Sequence, residues 1–246
     1  MNCLNQIVLT GLASCALFVV PAVNASASVV GTIQLDTEDG VYPGLGGGEF
    51  TAYTSQNFVS AYNSQATYQG GFETFCLETG VDFTPSNEGG PTYYYSIGNV
   101  TQPLTGGGTG SGLALTAGAA WLYQEFATGG LSAYGYNYTY GTTRQNDDNL
   151  LQAAIWALQG GQTYAGYPSL TGNEFYAAAI KALGANAGSA YTGSEVEVLQ
   201  LWSNADGTGA AQNQLVFVPD GGETAGLLGI GLIGIAVVQY RRSELA

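Results

Sequence analysis

Cys76 stands in Phe75-Cys76-Leu77-Glu78 and is the cysteine to explain, because Cys3 and Cys15 fall in an N-terminal stretch that reads as a cleaved leader. An odd thiol in an exported protein is an intermolecular disulfide, a free buried residue or a reactive group. Most unpaired cysteines are small buried hydrophobes. Other chemistry is scarce. The chain has no histidine, which removes Ser-His-Asp and Cys-His catalysis and the usual zinc ligands. Asp147 and Asp148 are adjacent on a helical pattern and point about 100° apart, so capping suits them better than a shared proton. Asp36-Thr37-Glu38-Asp39-Gly40 lacks the alternating oxygen ligands and distal Glu of a calcium loop and reads as a polar turn. Tyr134, Tyr136, Tyr138 and Tyr140 alternate, which puts them on one face of a strand or extended loop. Such a row either stacks on sugar rings or, more commonly, packs on its neighbours.

The elements that must position these groups read as an α+β domain, a β-rich sandwich or barrel with a helical insert. Val29–Leu35, Phe50–Tyr53, Asn57–Tyr62, Ala66–Phe83 and Tyr93–Ile97 carry β-branched, aromatic and alternating patterns between glycine turns. The period then changes. Leu115, Ala119, Leu122 and Phe126 form one helical stripe that stops at Gly129-Gly130. Leu151, Ala154, Ile155 and Leu158 form a second, with Asn146 as N-cap and Gly160-Gly161 as terminator. A third runs from Glu174 to Leu183, between Asn173 and Gly184, and strands return at Glu195–Trp202 and Gln214–Val218. The 246 residues carry 18 acids against 4 basic residues, a net charge of −14. That balance excludes a polyanion-binding surface, so nucleic acid is not an expected partner. Seventeen tyrosines separate the chain from disordered acidic tails, which lack aromatic burial.

Both ends read as addresses. Ile7 to Val23 is an apolar run followed by small residues, a secretory signal cut after Ala25 or Ala27. Leu12-Ala13-Ser14-Cys15 has the look of a lipoprotein box, but the apolar run continues past it. Residues 224–240 carry no charge and Arg241-Arg242 follow, the pattern of a minimal membrane helix with a cytoplasmic clamp. Before it stands Val218-Pro219-Asp220-Gly221-Gly222. This order of Pro-acidic motif, apolar helix and basic pair resembles the PEP-CTERM sorting tails, closest to the VPDSG type with Gly222 in place of Ser. The resemblance implies processing by an exosortase near Val218 to Gly222, anchorage in the inner membrane beforehand, and delivery to the cell surface or extracellular matrix. Three regions follow: a signal peptide over 1–27, an ectodomain over 28–217 and a sorting tail over 218–246.

Within the ectodomain, Phe75-Cys76-Leu77-Glu78 and the helical Leu151-Gln152-Ala153-Ala154-Ile155-Trp156 together resemble the thioester domains of bacterial surface adhesins. In those domains a cysteine after an aromatic and a glutamine in a TQxA-like helix form an internal Cys–Gln thioester. The resemblance assigns the two roles to Cys76 and Gln152, with Leu151 where threonine is commoner. Its implied use is a single covalent capture of an amine or hydroxyl on a partner surface, with no turnover and no cofactor. A primary amide yields to a thiolate when geometry replaces collision, since effective molarities of about 10⁵ to 10⁸ M are available in near-attack contact. Departure of ammonia needs a proton, for which Glu73, Glu78, Asp147 and Asp148 are the candidates. The alternative is a passive glycan-binding or structural protein of an exopolysaccharide matrix that uses the tyrosine row. A hydrolase built on paired carboxylates ranks last.

Overall fold

The computed structural model describes residues 29–44, 46–55, 66–79, 81–98, 114–160, 168–209 and 211–218. The leader, the expected strand Asn57–Tyr62, most of the sorting motif and the apolar run 224–240 lie outside them. Among the described residues no helix is long and apolar enough to cross a membrane.

Seven strands, β1 (Gly31–Asp36), β2 (Phe50–Thr54), β3 (Thr67–Tyr68), β4 (Gly71–Thr74), β5 (Tyr93–Gly98), β6 (Val196–Trp202) and β7 (Gln214–Phe217), form one antiparallel sheet. Its order is β3-β4-β2-β1-β5-β6-β7. Three helices, α1 (Ala117–Thr128), α2 (Thr142–Gly160) and α3 (Glu174–Leu183), are inserted between β5 and β6. The α+β class holds. Among the described residues there is one sheet, however, rather than the two of a sandwich, and it curls into a half-barrel. Past Thr74 the chain leaves β4 and runs against β7: Leu215 N–H donates to Phe75 O and Leu77 N–H donates to Asn213 O, each at 3.1 Å. The Thr74 hydroxyl donates to Leu215 O at 2.6 Å. Cys76 sits in this seam, bridged to Gln214.

Burial on both faces of the sheet explains why β6 and β7 read as nearly unbroken apolar runs. Val196, Val198, Leu215 and Phe217 face the helices, joined there by Phe75 and Leu77. Leu199, Leu201 and Val216 face the other way, into a core with Ile33, Leu35, Phe50, Phe72 and Cys76. Period-two alternation therefore turns Cys76 inward while its two neighbours pack on helices. The expected long strand Ala66–Phe83 is broken at Gln69-Gly70, both at positive φ (44° and 91°), which folds β3 back onto β4.

Helix ends follow their capping residues. The Thr116 hydroxyl accepts from Ala119 N–H at 3.3 Å to open α1, and Gly129 closes it at φ 83°. Asn173 accepts from Tyr176 N–H at 3.0 Å to open α3. The α2 expectation is corrected. The helix starts at Thr142, with Gly141 O accepting from Gln145 N–H at 3.1 Å, so Asn146 lies inside it and caps nothing. The helix extends toward its N-terminus because Arg144 and Asp148 have buried partners to meet, as described below.

Candidate functional site

Cys76 and Gln152 meet. Both are 0% exposed, and the Gln152 carboxamide clasps the backbone of Cys76. Cys76 N–H donates to Gln152 Oε1 at 2.9 Å, and Gln152 Nε2 donates back to Cys76 O at 2.8 Å. A second backbone donor, Gly48 N–H, reaches the same Oε1 at 2.9 Å. Two N–H groups converging on one carbonyl oxygen have the form of an oxyanion hole, which stabilises charge appearing on that oxygen when a nucleophile adds to the carbon. The sulfur itself touches Gln214 Nε2 at 3.4 Å.

Burial pushes the Cys76 thiol up to about 12. Only about 10⁻⁵ of it is then thiolate near neutral pH. Attack on Gln152 would therefore require near-attack contact between the sulfur and Cδ, whose effective molarity of about 10⁵ M or more would offset that deficit. Addition of sulfur to Gln152 Cδ would leave the negative charge on Oε1, facing Gly48 and Cys76 N–H. Breaking the C–N bond, with a proton delivered to nitrogen, would release ammonia and leave a thioester.

The same face of α2 is fixed by charge. Arg144, Asp148 and Gln152 lie at i, i+4 and i+8, and all three are buried. Arg144 pairs bidentately with Glu49: Nε donates to Oε2 at 2.8 Å and Nη2 to Oε1. Its Nη1 donates to Tyr138 O at 2.8 Å. The Tyr136 hydroxyl donates to Glu49 Oε2 at 3.1 Å and lies against Asp148 Oδ1. Glu49 follows Gly48 directly, so one end of this network holds the residue that presents its N–H to Gln152. Nearby, Glu73 accepts from the Thr51 hydroxyl at 2.9 Å. Three buried carboxyls thus face one guanidinium. Burial first, and the Glu49 charge second, raise Glu73 and Asp148 well above the usual carboxylate range, which favours their protonated forms beside the ion pair.

Of the four expected proton sources, Glu78 is nearest to the role. It is two residues from Cys76, and its charge raises the thiol. Asn213 holds it through N–H at 3.1 Å and Nδ2 at 2.6 Å, and burial raises its carboxyl to about 7. It therefore carries a proton about half the time at neutral pH, the condition for general acid–base work. Asp148 and Glu73 belong to the arginine network. Asp147 points elsewhere, accepting from Asn137 N–H at 2.8 Å.

These raised carboxyls set a pH dependence. A group whose carboxyl is raised by folding binds its proton more tightly folded than unfolded, so its contribution is full below about pH 4 and is lost as pH rises. Glu78 is lost between about pH 4 and its raised value of about 7, and Glu73 and Asp148 extend the loss upward. The −14 net charge acts in the same direction. Thermal melts from pH 4.5 to 8 are expected to show a falling melting temperature, and a rise across that window would contradict it.

The tyrosine row is corrected. Tyr134 ends a 3₁₀ turn over Gly130–Tyr134, and Tyr136 is 3% exposed, its ring against Phe126, Tyr138 and Phe175. Tyr138 is half-buried and stacks on Phe126, with its hydroxyl donating to Phe126 O at 2.8 Å. Only Tyr140, 49% exposed and in contact with the Arg144 guanidinium, presents a broad ring to solvent. The alternation fails because a turn, Gly135 at φ 94°, interrupts it. Capping by Asp147-Asp148 is likewise overturned, since both serve the segment before α2. Asp36 Oδ1 accepts from Asn87 N–H at 3.2 Å, in a turn tied to the Ser86–Glu88 3₁₀ turn. Sequence reasoning missed Gly48, Glu49, Arg144 and Gln214. Arg144 carries the clearest overlooked signal, one of two basic residues in the whole ectodomain. Comparison with known families, with curated proteins and with solved structures gives no match.

Proposed function

We propose that this chain is an exported surface or matrix protein, delivered by exosortase processing of its tail, whose ectodomain is a covalent adhesin with an internal Cys76–Gln152 thioester. The observation that carries the reading is the placement of Gln152 Oε1 under two backbone donors, Gly48 N–H and Cys76 N–H, at the residue that bears the sulfur. Burial supports it further, because a thioester shut away from water outlasts an exposed one. The start of the tail is compatible with this: β7 ends at Phe217, and Val218, the first residue of the expected processing motif, donates its N–H to Glu195 O at 2.7 Å. The role would be one capture of an amine or hydroxyl, outside enzymatic turnover.

A second reading has its own observation. Gln152 Nε2 donates to Cys76 O, so the carboxamide also serves as a clasp holding the seam strand to α2, as it would in a passive matrix protein. Intact mass separates the two. The thioester form is lighter than the encoded chain by one ammonia, and methylamine adds to Gln152 while exposing a titratable Cys76. An unshifted mass with a free thiol selects the passive reading.

A further inference from the structure

Among the described residues Gln214 is the one side chain hydrogen-bonded to the Cys76 sulfur, and neither the motif nor the reading above uses it. It is 0% exposed. Its Nε2 lies 3.4 Å from Sγ, while its Oε1 has no hydrogen-bond partner among the described residues. A buried carboxamide with one end on sulfur and the other unanswered is costly in a passive core, because an orphaned polar atom loses its solvation without compensation. The backbone pins the contact: Cys76 and Gln214 are bridge partners, with Leu215 N–H on Phe75 O and Leu77 N–H on Asn213 O. The next residue back, Asn213, holds Glu78. The seam strand therefore brings a sulfur ligand and a carboxyl holder to the site as consecutive residues.

We infer that Gln214 is a further catalytic residue of the Cys76–Gln152 centre, its Nε2–H stabilising the Cys76 thiolate both when it attacks Gln152 and when an amine displaces it. The inference rests on the thioester reading. In formation, sulfur adds to Gln152 Cδ, the C–N bond breaks and nitrogen leaves as ammonia with the thiol proton. In capture, an amine nitrogen adds to Cδ, the C–S bond breaks, and its electron pair returns to sulfur, which then takes the proton shed by the amine. Negative charge passes through sulfur in both directions. A buried thiolate has few donors to draw on, and the nearby Gly48 N–H is already engaged by Gln152 Oε1. Hydrogen bonds to a charged partner are stronger than neutral ones, so the contact is worth more in the reacting state than at rest.

The test compares the full chain with Gln214→Met, which keeps length and apolar volume but removes the donor, and with Gln214→Glu, which keeps shape. The readouts are the time course of ammonia loss by intact mass and the rate of methylamine addition. Both rates are expected to fall about tenfold to a hundredfold in Q214M, with melting little changed. In Q214E the deficit should deepen as pH rises, because a carboxylate repels the thiolate, a profile that a merely structural role would not produce. Should Q214M fold poorly, Q214E decides alone. A wild-type chain that never loses ammonia overturns the thioester reading and this inference with it. A wild-type thioester with unchanged, pH-parallel rates in both variants overturns the role of Gln214 and leaves the thioester standing.

Discussion

Replacing Arg144 by Met is expected to destabilise the domain by about 3–5 kcal/mol, the usual result of leaving one partner of a buried ion pair behind. Arg144 is the third residue of α2, where the helix dipole opposes a cation, so its place there depends on Glu49. Without the guanidinium, Glu49 is left buried beside Tyr136 and two further carboxyls, with no other cation paired to it among the described residues. The double variant with Glu49→Gln is expected to recover a substantial part, since a buried pair removed whole costs far less than one broken. Urea unfolding of the single and double variants measures both effects. A single variant within about 1 kcal/mol of wild type would mean that the network carries no structural load.

The sequence made the architecture legible wherever one residue does one local job. Asn173, Gly129 and Gly184 bound their helices because caps are nearest-neighbour chemistry. Strands β1, β5, β6 and β7 followed from apolar and aromatic runs for the same reason. The errors arose where a local pattern competed with a distant partner. Asn146 is a good cap by type, yet α2 runs back to Thr142 because Arg144 reaches a carboxylate 95 positions away. The tyrosines alternate, yet Gly135 turns the chain and sends Tyr136 inward to Glu49 and Asp148. Cys76 and Gln152 were found through a pair of motifs. Their common support was not, because Gly48 and Gln214 look ordinary in one dimension: a glycine in a glycine run and a glutamine beside another amide. Only the curl of the sheet brings the two to Cys76 and Gln152.

Gly48→Ala is expected to abolish the geometry at Gln152 while sparing most of the fold. Gly48 has φ 116°, where an L residue is strained at a cost of about 1–3 kcal/mol. A methyl there would also stand 2.5 Å from Pro43 Cγ and 2.9 Å from Cδ. A proline ring is tied to its own backbone and cannot swing aside, so the Gly47–Glu49 segment must shift instead. That shift withdraws the Gly48 N–H from Gln152 Oε1 and leaves Cys76 N–H as its remaining backbone donor. Loss of one oxyanion donor typically slows acyl chemistry by about 10² to 10³. If the proposed thioester forms in the wild-type chain, the variant should therefore retain its ammonia and a free Cys76 thiol over times at which the wild type loses it. Gly46→Ala provides the comparison: its φ is 81°, similarly unfavourable, but nothing lies within 4 Å of the added methyl. If the loss came from backbone strain alone, both variants would fail to form the bond. If it comes from the displaced donor, Gly46→Ala should form the thioester at close to the wild-type rate, and equal rates in Gly48→Ala would rule out the paired N–H groups as the source of reactivity.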